Sequence, residues 1–161
     1  MSDRSVVKNE RNYVALYRTT GVALWRAIYV YSGGSRDIAD DAVAEAFARA
    51  IQHDDAIRRP ESWLYRTAFH VAAAELRQKR FLVDAPERAG DEAVDLTDLT
   101  KALRRLSPNQ RAAVYLFYQA DLPIREVAAL MGTSVTAVKV HLHRGRHRLR
   151  DLLGSEEAGD D

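Results

Sequence analysis

The chain of 161 residues contains no cysteine. That excludes a disulfide framework, a thiol nucleophile and any cysteine-based metal site. No apolar run approaches the ~20 residues that a membrane span requires. The N-terminus also lacks the layout of a signal peptide, so the expectation is a cytoplasmic protein with no membrane insertion. There is no Gly-rich phosphate loop, no H-E-x-x-H and no G-x-S-x-G. No catalytic residue, cofactor or metal is therefore expected. Proline and glycine are sparse, at four and eight residues, and they cluster at element boundaries. Period-2 alternation is missing as well, and the fold class is all-α. What the chain does have is apolar content of 47%, ample for helical cores, and a net charge of only +1 that hides a strong separation of sign.

The positive charge lies at the C-terminal end. From Ser107 to Arg150, seven Lys/Arg face two acids, a net +5. Ser107, Pro108 and Gln110 form a capping box with proline at the first helical position, so a helix begins there. It runs through Val114, Leu116 and Phe117 and stops near Asp121. A short helix with Ile124, Val127, Ala128 and Met131 on one face follows. Gly132 ends it, and Thr133-Ser134 caps the next helix. This is the helix-turn-helix pattern. In the last helix Val135, Val138, Leu142, Gly145 and Leu149 fall on one side, which must be buried. The other side presents Thr136, Lys139, Val140, His143 and Arg144. Basic residues near a helix C-terminus also suit its dipole, so Arg148 and Arg150 alone say little. With the turn and caps upstream, the charge is the footprint of DNA binding. His143 and His147 stand one turn apart, but the sequence offers no third ligand nearby to complete a metal site.

The negative charge lies in the middle. Residues 81–100 hold six acids against Arg88, with Pro86 and Gly90 as breakers. The stretch reads as an acidic linker that closes with a short helix from about Leu96 to Leu106. It divides the chain into a block at 1–80, the linker at 81–100 and a block at 101–161. Each block is near the lower size limit for an independent core, and linked movement of the two is expected unless a partner fixes them.

Three helices are expected in the first block, from about Asn9 to Tyr31, Arg36 to His53 and Pro60 to Arg80. The second places Ala39, Val43, Ala46, Phe47 and Ala50 on one face and Asp37, Asp41 and Glu45 on another. Acids near a helix N-terminus favour the dipole, which accounts for Asp37 and Asp41 better than for Glu45. A structural and a functional reading of this stripe stay equally open. The third helix carries Trp63, Arg66, His70 and Arg77 on one stripe. Aromatic planes beside cations suit single-stranded nucleic acid, where bases stack and phosphates need charge. Taken alone, the stripe is better explained as a core tryptophan with solvated arginines.

The ordered set of motifs resembles bacterial RNA polymerase sigma factors of the extracytoplasmic-function (ECF) group, reduced to regions two and four. Asp40-Asp41-Ala42-Val43-Ala44-Glu45-Ala46-Phe47 is similar to that family's core-binding helix. Trp63-Leu64-Tyr65-Arg66-Thr67-Ala68 is similar to its promoter-melting helix. Leu106 to Arg111, Glu126-Val127-Ala128, Ser134 to Lys139 and Leu142-His143-Arg144-Gly145-Arg146 resemble successive parts of region four. The match covers nearly the whole chain. Among the differences, His70 stands where the family usually has asparagine and Pro123 where a serine cap is common.

The resemblance implies a non-enzymatic subunit that binds core RNA polymerase and directs promoter recognition and opening. It implies that Asp41 and Glu45 contact the polymerase, and that Trp63, Arg66, His70 and Arg77 hold the opened minus-ten strand. It further implies that Ser134, Thr136, Lys139, Val140, His143 and Arg144 read the minus-thirty-five duplex. The partners are then core polymerase and promoter DNA, duplex and opened, with room for an anti-sigma factor. The competing reading is a helix-turn-helix regulator that is not a sigma subunit. Such a regulator needs neither the acidic stripe nor the Trp63 stripe.

Overall fold

The computed structural model describes residues 13–82 and 96–157, with side chains placed for 13–79 and 96–154. Every regular element among them is helical, in agreement with the all-α reading. A helical stretch from residue 13 passes through a π-helical turn, Tyr17–Gly21, into α1, Val22–Tyr31. Gly33 and Gly34 then reverse the chain at φ of 75° and 94°, values that glycine adopts without a Cβ clash. Ser35 caps α2, Arg36–Gln52, by accepting from the Ile38 N–H at 3.2 Å. A short turn at Asp54–Ala56 leads to α3, Pro60–Leu82.

The face expected for α2 is the buried one: Ala39, Val43, Ala46, Phe47 and Ala50, joined by Ile38 and Ala42. Its contact with α3 is the most extensive between any two helices among the described residues. Both helices bury mostly small residues, with Ala68, Ala72 and Ala73 on α3, which lets helix axes approach closely. Leu24 and Ile28 of α1 complete this bundle, and both are fully buried.

The C-terminal bundle begins with α4, Asp98–Arg104, capped by Thr97. Next is α5, Pro108–Val114, with the full capping box: Gln110 N–H donates to Ser107 Oγ, and Ser107 N–H donates to Gln110 Oε1, each at 3.3 Å. The helix then widens into a π turn, Tyr115–Gln119, and ends at its cap Ala120, just before Asp121, which takes φ of 53°. The short helix α6, Ile124–Met131, stops at Gly132 in the left-handed region at φ of 67°. The long helix α7, Val135–Glu157, follows. Its backbone passes so near α5 that a Cβ on Gly145 would lie 3.0 Å from Val114 Cγ2. Any larger residue there would have to displace the Val114 side chain by a few tenths of an ångström.

The ends of the acidic stretch are helical, since α3 takes in 81–82 and α4 begins at Asp98. The centre of that joint, 83–95, lies outside the described residues. The two blocks are also packed together. Tyr31 at the end of α1, Phe69 on α3 and Tyr115 after α5 form a buried aromatic trio. Ring centroids are 5.2 Å apart for Tyr31–Phe69, 5.6 Å for Phe69–Tyr115 and 6.3 Å for Tyr31–Tyr115. Each such pair contributes roughly 0.5–1.5 kcal/mol beyond its area burial. One apolar core therefore runs through both halves.

Candidate nucleic-acid interface

Three surfaces carry the residues singled out by sequence. The first is the outer face of α2, where Asp41 and Glu45 are exposed. Glu45 accepts from Arg49 Nε at 2.7 Å, with both side chains about half exposed. A surface pair of this kind holds its partners only weakly. Asp41 faces the α3 residue Glu75. Burial raises the Glu75 carboxyl above its ordinary value, and the Asp41 charge raises it further, against a smaller lowering by Lys79. The neighbouring Asp40 is fixed differently. It accepts from the Trp25 indole N–H at 2.7 Å, and the Arg36 guanidinium lies 5.8 Å from the Trp25 ring centroid.

The second surface is the stripe on α3. Trp63 is partly buried against the apolar core, which agrees with the plainer reading of that residue. Arg66 is exposed and donates through Nη2 to the Asp121 carbonyl at 3.1 Å. His70 Nε2 lies 2.6 Å from Glu126 Oε1, with about a third of each side chain exposed. Arg77 reaches Gly132: its Nη2 is 3.2 Å from where a Cβ on that glycine would sit. Three of the four thus face the C-terminal half, a relation with no local signal in the sequence.

The third surface belongs to α7. Ser134 accepts from the Ala137 N–H at 3.1 Å and so caps the helix. Its hydroxyl proton stays available to an acceptor. Thr136, Lys139, Val140, His143 and Arg144 are all exposed, while Val138, Leu142 and Gly145 are buried beneath them. An apolar residue such as Val140 in an exposed row of polar and basic groups suits a groove wall, where a thymine methyl is an apolar contact. Not every basic residue of the segment contributes to this face. Arg111 is 1% exposed and reaches the Arg104 carbonyl at 3.4 Å, so it belongs to the bundle and not to the footprint.

Two features were missed from sequence. An open cleft of about 650 Å³ runs beside α7, lined by Arg105, Gln110, His143, Arg144, His147 and Arg148 among others. It extends the basic surface beyond the face expected from helical periodicity, because Arg105 comes from the turn after α4. Arg146 donates to the Tyr118 hydroxyl at 2.9 Å and so points away from that cleft. Asp151 stands one turn beyond His147, with 3.9 Å between Oδ2 and Nδ1. Even so, the described residues include no group of three side chains able to hold a metal ion. Nor is any described helix long and apolar enough to cross a membrane.

Most of the chain is similar to known proteins. Residues 96–149 match the family model for sigma-70, region 4. The RNA polymerase sigma-E factor of Streptomyces antibioticus is 32% identical over 120 residues, 74% of this chain and 62% of that protein. The ECF RNA polymerase sigma factor SigL of Mycobacterium tuberculosis is 30% identical over 155 residues, 86% of this chain and 87% of that one. This chain spans about three fifths of the length of several such relatives, including SigE of Mycolicibacterium smegmatis, where the share is 62%. Among solved structures, the sigma factor RpoE of Bartonella quintana, in complex with the anti-sigma factor NepR, has the same fold. Its TM-score is 0.52 at 22% identity, covering 89% of this chain and 98% of that one. The ordered motifs, the region 4 match and the SigL relation agree: the chain belongs to the ECF RNA polymerase sigma factors.

Proposed function

We propose that this chain is the promoter-specificity subunit of a cytoplasmic RNA polymerase holoenzyme and performs no chemistry of its own. In this reading α2 docks on core polymerase through Asp41 and Glu45. The helix α7 enters the major groove of the minus-thirty-five element with Thr136, Lys139, Val140, His143 and Arg144, while Ser134 sets its start. The α3 stripe of Trp63, Arg66, His70 and Arg77 takes the minus-ten strand once it is unpaired. The domains that do this are 1–80 and 101–161, with the acidic segment 81–100 between them passing through the polymerase. An anti-sigma factor is the natural kind of regulator for such a subunit.

The observation that carries the reading is the exposed face of α7. A capped helix emerges from a left-handed glycine turn and presents Lys139, His143 and Arg144 around Val140, while its other side is sealed in the bundle. Positive charge along such a helix neutralises phosphates, and its base-facing side chains select sequence. The test is reconstitution of the purified chain with core polymerase on DNA from its own upstream region. Specific initiation is the expected result. Binding to that DNA without any effect on core polymerase would sink the reading in favour of a plain regulator.

A further inference from the structure

The cleft beside α7 is lined by two different elements. One side is α7 itself, with Arg144 and Arg148, and the other is the turn between α4 and α5, with Arg105. Arg105 is turned outward because its neighbours are anchored. Leu103 and Leu106 are buried, and the Arg105 N–H donates to the Ala102 carbonyl at 3.0 Å. The Arg104 carbonyl accepts from the buried Arg111 guanidinium. The Arg105 side chain is left exposed, as are Arg144 and Arg148. Among the described residues none of these three cations has an ion-pair partner. Gln110, on the same wall, uses its side-chain oxygen to accept from the Ser107 N–H at 3.3 Å, so its amide presents N–H donors. Asp151 is the single acid of the cleft, at the end beyond His147.

Resting on the proposed entry of α7 into duplex DNA, we infer that this cleft takes the phosphates of one DNA strand beside the bases that α7 reads. Arg105 and Arg148 are its positioning contacts, and Asp151 marks where the strand leaves. The cleft is continuous with the recognition face, because His143 and Arg144 belong to both. It is also open and about 650 Å³ in volume, room for a run of phosphates and not only for a single ion. Duplex DNA carries one charge per about 1.7 Å of its axis, so a helix lodged in the groove has a charged strand at its flank. Helical periodicity puts Arg148 on that flank but gives no sign of Arg105, which arrives from another element. Phosphate contacts fix register and orientation and carry no sequence information. Arg105 and Arg148 therefore set how firmly α7 is seated, whatever bases lie beneath it. At Asp151 the charge changes sign, which repels the strand from the C-terminal part of α7.

Ethylation interference on the upstream DNA, with the chain joined to core polymerase, tests the contacts phosphate by phosphate. The wild type should show interfering phosphates next to the bases that α7 protects, and Arg105→Ala/Arg148→Ala should lose those alone. The same variant should bind the duplex several-fold more weakly and lower the slope of log affinity against log salt by about two. Its preference for the upstream sequence over a scrambled one should stay at the wild-type ratio. Arg105→Lys/Arg148→Lys should keep the wild-type slope, because charge and not guanidinium packing is what the strand requires. Asp151→Asn should tighten binding by about two- to five-fold at low salt. An unchanged slope and interference pattern in the alanine variant overturns the strand contact and leaves the cleft to an acidic protein. A lost sequence preference overturns it too, since the two arginines then read bases. Binding by Asp151→Asn no tighter than wild type rejects the assigned exit. If the wild type neither joins core polymerase nor initiates with it, the proposed function has failed instead. The cleft is then judged with the free chain on a mixed-sequence duplex at low salt, where the same fall in slope is expected. Equal slopes for wild type and variant there, or no binding to DNA at all, reject the contact.

Discussion

Phe69 and Tyr115 stack at 5.6 Å and 27° across the boundary between the two helical bundles, both essentially without solvent contact. The Tyr115 hydroxyl is buried with no hydrogen-bond partner among the described residues. Burial pushes its pKa well above the ordinary tyrosine range, offset only in part by the Arg111 charge. It therefore stays neutral through the range in which an ordinary tyrosine titrates. An orphaned buried hydroxyl costs about 1–3 kcal/mol, and removing it leaves the ring contacts intact. Tyr115→Phe should raise stability by about 1 kcal/mol, or about 2–4 °C in melting temperature. Phe69→Ala should lower it by about 3–5 kcal/mol. Calorimetry of both checks the pair. A destabilised Tyr115→Phe would mean that the hydroxyl has a partner, such as an internal water.

Much of this fold was legible in the chain. Ser107 and Gln110 announce the start of α5, Gly132 the end of α6 and Gly145 the side of α7 that must pack, because caps, left-handed turns and close approaches each demand particular residue types. The π turns at Tyr17–Gly21 and Tyr115–Gln119 have no such marker; they are residues inserted into a helix whose local pattern is still helical. Nor could periodicity reveal that Arg111 is interior, since the residue type argues for the surface. The trio of Tyr31, Phe69 and Tyr115 was equally hidden. Its members are far apart in sequence, and each is an ordinary core aromatic within its own helix. For the same reason the stripe on α3 read as a solvated or ligand-holding face, when in this structure Arg66 and His70 are met by Asp121 and Glu126.

Glu75 makes a pH-dependent contribution with a definite sign. Its carboxyl is raised in the folded chain by burial and then by Asp41, so the folded state holds that proton more tightly than the unfolded one. Stability from this group is therefore greatest below the ordinary value of 4.5 and falls as pH rises through the raised folded pKa. Glu75→Gln should melt higher than wild type at pH 7, and the gap should close as pH falls toward 4.5. A gap that is constant with pH would show that packing, and not ionisation, separates the two proteins.

Docking on core polymerase should depend on the outer face of α2. Reversing both charges, in Asp41→Lys/Glu45→Lys, changes exposed side chains only, so helicity should hold while association with core polymerase falls markedly. The change at Glu45 also frees Arg49, so Arg49→Ala is the control and should bind nearly as wild type does. Copurification of the double variant at wild-type yield would remove this face from the contact.

Duplex recognition should divide between Lys139 and Arg144. A bidentate contact to a base is worth about 1–3 kcal/mol and specifies sequence. A phosphate contact weakens all sequences alike and lowers the salt slope by about one. Lys139→Ala and Arg144→Ala in reconstituted holoenzyme should each weaken upstream protection in footprinting, and salt titration assigns the kind of contact. Full protection in both variants would exclude the pair from the interface.

The α3 stripe should act after the first encounter with the promoter. Base–aromatic stacking contributes ~1–3 kcal/mol per base, and unpaired bases exist only once the duplex has opened. Arg66→Ala and His70→Ala should therefore keep polymerase binding and upstream contacts but form fewer permanganate-reactive open complexes. The two substitutions also remove the contacts to Asp121 and Glu126, which by itself would favour opening of the chain. The two effects oppose each other, and a template with a pre-melted bubble separates them, because it supplies the strand without requiring the duplex to be opened. If the stripe serves melting, the variants should initiate on the bubble at close to the wild-type rate while remaining defective on the duplex. If the bubble rescues neither variant, the stripe does not serve melting and the defect lies elsewhere. Trp63, packed against the core, should behave differently: Trp63→Ala should lower the melting temperature on its own, whatever the template.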